Sequence, residues 1–175
     1  WRKHPDTLAE RSRFAEQSGV SRDRWLAVLT ALLLPLASTI LSGLDHRYGW
    51  SAPLPFWLRA LGGVMVALSF AWATWAMLEN RYFSAVARIQ TERGQQVVSS
   101  GPYRVMRHPA YASSLLAWLG APLLLNSLWA CLPGALCVLL IAYRTKLEDE
   151  LLMKGLPGYG AYAARTRYRL IPGVW

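Results

Sequence analysis

The chain alternates between apolar stretches without charge and polar stretches that hold nearly all of it. No Asp, Glu, Lys, Arg or His occurs from Trp25 to Leu44, a run of 20 residues. A second run covers the 19 residues from Ala60 to Leu78, and a third the 35 residues from Pro109 to Tyr143. A bilayer core about 30 Å thick takes roughly 20 apolar residues per helix. Each of the first two runs therefore predicts one span, near residues 25–44 and 57–78. The third holds two shorter arms, 109–125 and 128–143, with Asn126-Ser127 as the turn between them. Pro35, Pro122 and Pro133 fit this reading, because neighbours in a membrane bundle re-satisfy the backbone groups a proline frees. Trp25, Trp50, Trp57 and Trp129 fall near predicted helix ends, as interfacial belts do. Trp72, Trp75 and Trp118 lie deeper and are expected to pack between helices. The expected fold is all-α, an integral-membrane helical bundle with a helical hairpin, in one domain over 1–175.

Composition sharpens this. With 54% hydrophobic residues and 17% charged ones, the chain is too apolar for disorder and too poor in charge for an ordinary soluble surface, which carries about 25%. The formal net charge of +9 invites a nucleic-acid reading until the charges are placed. Six Lys and Arg lie in residues 1–24, five in 79–108 and six from Arg144 onward, leaving only Arg47 and Arg59. Two spans followed by a hairpin bring the three rich segments to one side, which the positive-inside rule makes cytoplasmic. No zinc-finger spacing, aromatic RNA-binding motif or basic heptad region is present, so no nucleic-acid partner is expected. Cys131 and Cys137 have no metal-ligand spacing and read as small buried hydrophobes; no metal is expected. Residues 1–24 are too polar and mixed in charge for a signal peptide. The first residue, Trp1 rather than Met, raises the expectation of a truncated N-terminus.

Residues suited to chemistry concentrate in two membrane-proximal segments. The first runs from Gln90 through Gly101-Pro-Tyr103 to Arg107-His108-Pro109-Ala-Tyr111. Pro109 suits the first position of a helix, which puts His108 at its N-cap, where backbone N–H groups favour an anion. Arg104 and Arg107 add positive charge there. In the second segment, Arg144 and Glu148 are four apart and share one helix face, with Lys146 and Glu150 on a neighbouring face. Gly155-Leu-Pro-Gly158 then breaks the helix, and Tyr159 and Tyr162 open a last amphipathic piece expected on the membrane surface. The hairpin runs out and back, so it returns Arg107-His108 and Arg144-Glu148 to the same face. A cytoplasmic pocket formed by the loop before the hairpin and the C-terminal helices suits a small zwitterionic ligand beside a lipid-like one.

These motifs together resemble a family. Val97-Val98-Ser-Ser-Gly101-Pro-Tyr103, then Arg107-His108-Pro109-x-Tyr111, a hairpin, and Arg144 four before Glu148-Asp149-x-x-Leu152 are similar to the isoprenylcysteine carboxyl methyltransferase and phospholipid methyltransferase group. Gly158-Tyr159-x-x-Tyr162 and Arg169-Leu-Ile-Pro172 continue the match, which runs from about Glu79 to Trp175. These are integral-membrane enzymes that use S-adenosylmethionine. The resemblance implies a catalytic loop over 79–111 and a C-terminal segment over 144–175. It implies that Tyr103, His108, Pro109, Ala110 and Tyr111 hold the cofactor, with Gln95, Gln96, Val97 and Val98 lining the same site. Gln90 and Glu148 are further implied cofactor contacts. Arg144 takes the place of an arginine facing the substrate, and Arg107 joins it as a second residue for the chemistry. The acidic pair is Glu-Asp where the group often has Glu-Glu, which leaves Asp149 without an implied role. A lipid-like substrate and a membrane are the implied partners. A carboxylate nucleophile is already ionised at neutral pH, whereas an amine must first lose a proton to a base. Carboxyl O-methylation is therefore the leading expectation; phospholipid N-methylation and a non-enzymatic scaffold with the same fold are the alternatives.

Overall fold

The computed structural model describes residues 21–175, so the four basic residues expected on the cytoplasmic side within 1–20 lie outside the described residues. The first rod is α1 (Ser21–Val28), a π-helical turn (Leu29–Leu33) and α2 (Leu34–Tyr48). Pro35 explains the wide turn. It has no N–H to offer the carbonyl four residues back, and its ring crowds that carbonyl. The helix widens just before it, and the Leu34 N–H bonds to the Leu29 carbonyl. The Thr30 carbonyl is thereby released, and the Cys137 thiol donates to it at 3.8 Å.

Gly49 ends α2 in the left-handed region at φ 65°, and the Asp45 carboxylate accepts from the Ser51 N–H and hydroxyl, both at 2.7 Å. The chain turns back into α3 (Phe56–Glu79), crosses a long loop with two short 3₁₀ turns, and enters the hairpin of α4 (Pro109–Leu124) and α5 (Cys131–Gly155). A short α6 (Tyr159–Arg165) follows. The hairpin turns at Asn126, which adopts φ 52° and accepts the Leu54 N–H at 2.7 Å through its side chain. The α2–α3 loop and the hairpin turn are thus tied at one end of the bundle, where Trp50 and Trp129 also meet edge to face at 5.4 Å. Towards the same end α3 crosses α4 at Gly62 and Gly120, where a Cβ on Gly62 would stand 2.6 Å from the Gly120 carbonyl oxygen.

The described residues are all helical or irregular, with no strand. Two helical stretches, Asp23–Tyr48 and Phe56–Glu79, are long and apolar enough to cross a membrane. Their outward faces, Leu36, Ile40, Val64, Leu68 and Phe70, are exposed as lipid-facing residues are. α3 and α4 cover the second apolar run and the first hairpin arm, whereas α5 begins at Cys131 and continues to Gly155, twelve residues beyond the arm expected to end at 143. Two expectations about single residues are corrected. Trp75 does not pack between helices; it is exposed, because one face of α3 meets α4 and the opposite face is left outward. Cys131 is exposed at the first position of α5, and only Cys137 is buried. The last helix has two faces: Tyr159 and Tyr162 are buried with Leu156 and Ala163 against Val97 and Leu152, while Gly160, Ala161, Ala164 and Arg165 are exposed.

Candidate active site

A cavity of about 650 Å³ lies between the first rod, the end of α3, the loop that follows it, and the bases of α4 and α5. One end is polar, lined by Gln95, Gln96, Tyr103, His108 and Glu148. The other reaches Ala27, Ala31, Leu32, Ala73 and Met77 in the membrane helices, with Thr30 and Arg144 as polar side chains beside them. Leu32 itself is exposed on the outer surface.

The polar end is organised by Asp149, which is 2% exposed. Its carboxylate accepts from Arg107 Nε at 2.8 Å and Nη2 at 2.9 Å. It also accepts from the Tyr159 hydroxyl at 2.8 Å and from Arg169 Nε at 2.8 Å. His108 Nε2 lies 3.3 Å away. Burial alone would raise this carboxyl, but the hydrogen bonds from His108, Arg169, Tyr159 and Arg107 outweigh it and hold Asp149 well below the usual carboxylate range. Burial pushes Tyr159 far above its usual range, helped by the charge of Asp149, and pushes Tyr162 up to about 12. The backbone completes the clamp. Arg107 and His108 donate their N–H groups to the Tyr168 and Arg169 carbonyls, both at 2.9 Å. The Tyr162 hydroxyl donates to the Tyr103 carbonyl at 2.7 Å.

A second pair stands deeper. Arg144 Nε donates to Asp23 Oδ1 at 2.8 Å and its Nη2 to Oδ2 at 3.2 Å. Asp23 also accepts the Ala87 N–H at 2.7 Å, and Arg144 Nη2 donates to the Ala85 carbonyl at 3.1 Å. Tyr111 lies between the two halves: its ring stacks on His108 at 5.9 Å and carries the Arg144 guanidinium over it at 5.4 Å.

The sequence-predicted residues converge on this cavity with one exception. Gln95, Gln96, Val97, Val98, Tyr103, Arg107, His108, Pro109, Ala110, Tyr111, Arg144 and Glu148 all line it. Gln90 is fully buried beside it and spent on the loop, donating to the Tyr82 carbonyl and accepting from Arg93, both at 2.6 Å. His108 is the N-cap residue of α4, as its place before Pro109 predicts. Its ring, however, faces two carboxylates, Asp149 and, at 4.0 Å, Glu148. Lys146 and Glu150 pair at 3.9 Å as their spacing predicts, whereas Arg144 reaches to Asp23. Two residues escaped sequence reasoning. Asp149 stands beside Glu148, and the shorter side chain of the Glu-Asp pair was its only signal. Asp23 reads in the sequence as an acid favoured in a helix's first turn, and its partner is 121 residues away.

Comparison with known proteins completes the picture. The profile described as phospholipid methyltransferase matches residues 57–157. The cobalt-zinc-cadmium resistance protein CzcN of Cupriavidus metallidurans is 31% identical over 144 residues, covering 81% of this chain and 59% of that protein. The solved structure of the eukaryotic intramembrane Ras methyltransferase ICMT, isoprenylcysteine carboxyl methyltransferase, superposes with a TM-score of 0.64 at 17% identity. That match covers 81% of this chain and 52% of the solved one, and establishes the shared fold. The chain thus spans little more than half the length of either relative.

Proposed function

Because this chain belongs to the phospholipid methyltransferase family, we propose that it is an S-adenosylmethionine-dependent membrane methyltransferase that O-methylates a carboxylate on a lipid-like substrate. The observation that carries this reading is one cavity with a polar end and a second end that continues into the membrane helices. A hydrophilic cofactor and a lipid-like acceptor are thereby brought to adjoining parts of one space.

The residues at the polar end fit the cofactor. Glu148 lines the cavity, with His108 Nδ1 4.0 Å away and the Tyr111 hydroxyl hydrogen-bonded to it, and its carboxylate has lone pairs left to accept from an ammonium or from hydroxyls. The first turn of α4 lines the same end, and the Ala110 and Tyr111 N–H groups there have no carbonyl before them in the helix, which suits an anionic carboxylate. When bound, S-adenosylmethionine supplies an electrophilic methyl: an acceptor oxygen lone pair forms the C–O bond, the C–S bonding pair stays on sulfur, and a neutral ester and thioether result. The protein's part is alignment and exclusion of water, which supply several kcal/mol of such a barrier. Arg144 donates to the acceptor carboxylate, and Tyr111 fixes the guanidinium plane. No proton has to move, so no general base is needed.

In this reading the chain crosses the membrane several times with the cavity on the cytoplasmic side. The two tied turns lie at the far end of the bundle, and the segments 79–108 and 144–175, with eleven of the Lys and Arg residues, at the near end.

Incubation of the detergent-purified protein with methyl-labelled cofactor and total membrane lipid tests the proposal. Label should appear on a lipid and be released by mild base, as an ester is. Base-stable label on an amine head group would replace carboxyl methylation by N-methylation. Glu148→Ala should weaken S-adenosylhomocysteine binding by about tenfold, the equivalent of roughly 1.4 kcal/mol, in isothermal titration. A full-length protein with no measurable affinity for that product would sink the methyltransferase reading.

A further inference from the structure

We infer that Asp23 is a positioning residue for the transfer, which restricts Arg144 to a single-edged contact with the substrate carboxylate and leaves one carboxylate oxygen free to attack. The inference rests on the carboxyl methylation proposed above. Asp23 precedes the residues matched by the family profile, 57–157, and its contact with Arg144 is the longest-range ion pair among the described residues.

A guanidinium has five N–H bonds in a planar fork. In Arg144 the Nε–H and one Nη2–H go to the two oxygens of Asp23. The other Nη2–H goes to the Ala85 carbonyl at 3.1 Å. Only Nη1 remains, and its one hydrogen-bond partner among the described residues is the Thr30 hydroxyl at a long 3.5 Å. The π-helical turn at Leu29–Leu33 places Thr30 there. Tyr111 covers one face of the group, and both Arg144 and Thr30 line the cavity.

This arrangement matters for a carboxylate nucleophile. An unrestrained arginine grips both carboxylate oxygens through its fork, the strongest geometry for such a pair. That grip stabilises the ground state and occupies both oxygens, so it lowers KM and kcat together. With Asp23 on the Nε–Nη2 edge, the substrate can be held only through Nη1. One oxygen is then anchored, and the other keeps its lone pair for the methyl carbon. Asp23 itself is 2% exposed and held by the Ala87 N–H, so it keeps its place when substrate enters.

The test compares wild type, Asp23→Asn, Asp23→Glu and the double variant Asp23→Asn/Arg144→Gln, with an N-acetylated S-prenylcysteine as acceptor. Asp23→Asn should lower KM for the acceptor at least fivefold and kcat at least tenfold, while S-adenosylhomocysteine affinity stays within twofold. Asp23→Glu should recover most of kcat. In the Arg144→Gln background, Asp23→Asn should change neither constant further, because its effect passes through the arginine. Unchanged KM and kcat in an Asp23→Asn protein that still binds S-adenosylhomocysteine would overturn the inference alone. So would loss of that binding in the single variant with recovery in the double, which would make Asp23 a structural counter-ion. A wild-type protein that binds S-adenosylhomocysteine yet leaves the prenylcysteine acid unmethylated would overturn carboxyl methylation and this inference with it.

Discussion

Asp149 holds together four pieces of chain that sequence reading treats separately: the Arg107-His108 approach to α4, the base of α5, α6 and the C-terminal turn. Arg107 and Arg169 both bond to it at 2.8 Å, and Tyr159 donates to it from α6. Removing one partner of a buried ionic cluster costs about 3–5 kcal/mol, because the remaining charges lose their counter-ion in a place water cannot reach. Asp149→Asn should therefore lower the thermal midpoint in detergent and weaken cofactor binding, since Arg107 and His108 lose their anchor. The pH dependence has a definite sign. The carboxyl is held low in the folded protein, so its contribution is fully present above the unfolded aspartate value of about 3.9 and is lost as pH falls toward the folded value. The wild-type midpoint should fall steeply below about pH 4, and Asp149→Asn should be flatter over the same range. Equal acid slopes for the two proteins would remove Asp149 from this role.

At the scale of helices, what the sequence makes legible and what it conceals have separate physical causes. Uninterrupted apolar runs locate α2, α3 and the hairpin, since a lipid-facing helix cannot carry charge at low cost. The same chemistry hides orientation: an apolar residue suits lipid as well as a neighbouring helix, so Trp75 facing out and Trp118 packed near Cys137 look alike in the sequence. The motif residues around the cavity are legible because polar groups beside apolar runs are few. The Asp23–Arg144 contact is concealed, because nothing local in either segment marks the other. Helix proximity leaves a fainter trace in glycine, and Gly62 allows a test. A Cβ there would stand 2.5 Å from the Leu124 amide nitrogen, whereas one on Gly63 would meet only the Leu124 Cδ1 at 3.6 Å. Gly62→Ala should force α3 from α4 and cost about 1–3 kcal/mol, as overpacking does. Gly63→Ala should be neutral or slightly stabilising, since alanine favours a helix over glycine by up to about 1 kcal/mol. Thermal unfolding of the two purified variants side by side decides this, and equal midpoints would refute the close crossing.

For the whole molecule, the governing feature is that the turns after α2 and α4 meet at one end and the cavity lies towards the other. Two sets of hydrogen bonds tie the turns together, Leu128 N–H to the Ser51 hydroxyl that itself donates to Asp45, and Leu54 N–H to Asn126, and Trp50 packs on Trp129 beside them. Aromatic rings at that level suit a head-group interface. The basic loops lie at the opposite end, and in the proposed orientation an anionic leaflet attracts them at roughly 1 kcal/mol for each Lys or Arg near the surface. This polarity predicts the result of a labelling experiment on single-cysteine variants in which Cys131 and Cys137 are replaced. Ala52 and Thr91 are both exposed and mark the two ends. In intact cells a membrane-impermeant maleimide should modify Ala52→Cys and spare Thr91→Cys, and after permeabilisation it should modify both. The reverse pattern would place the cavity outside the cell, away from a cytoplasmic supply of cofactor. Equal labelling of both sites in intact cells would remove the membrane barrier between the two ends, and with it the reason for the charge asymmetry.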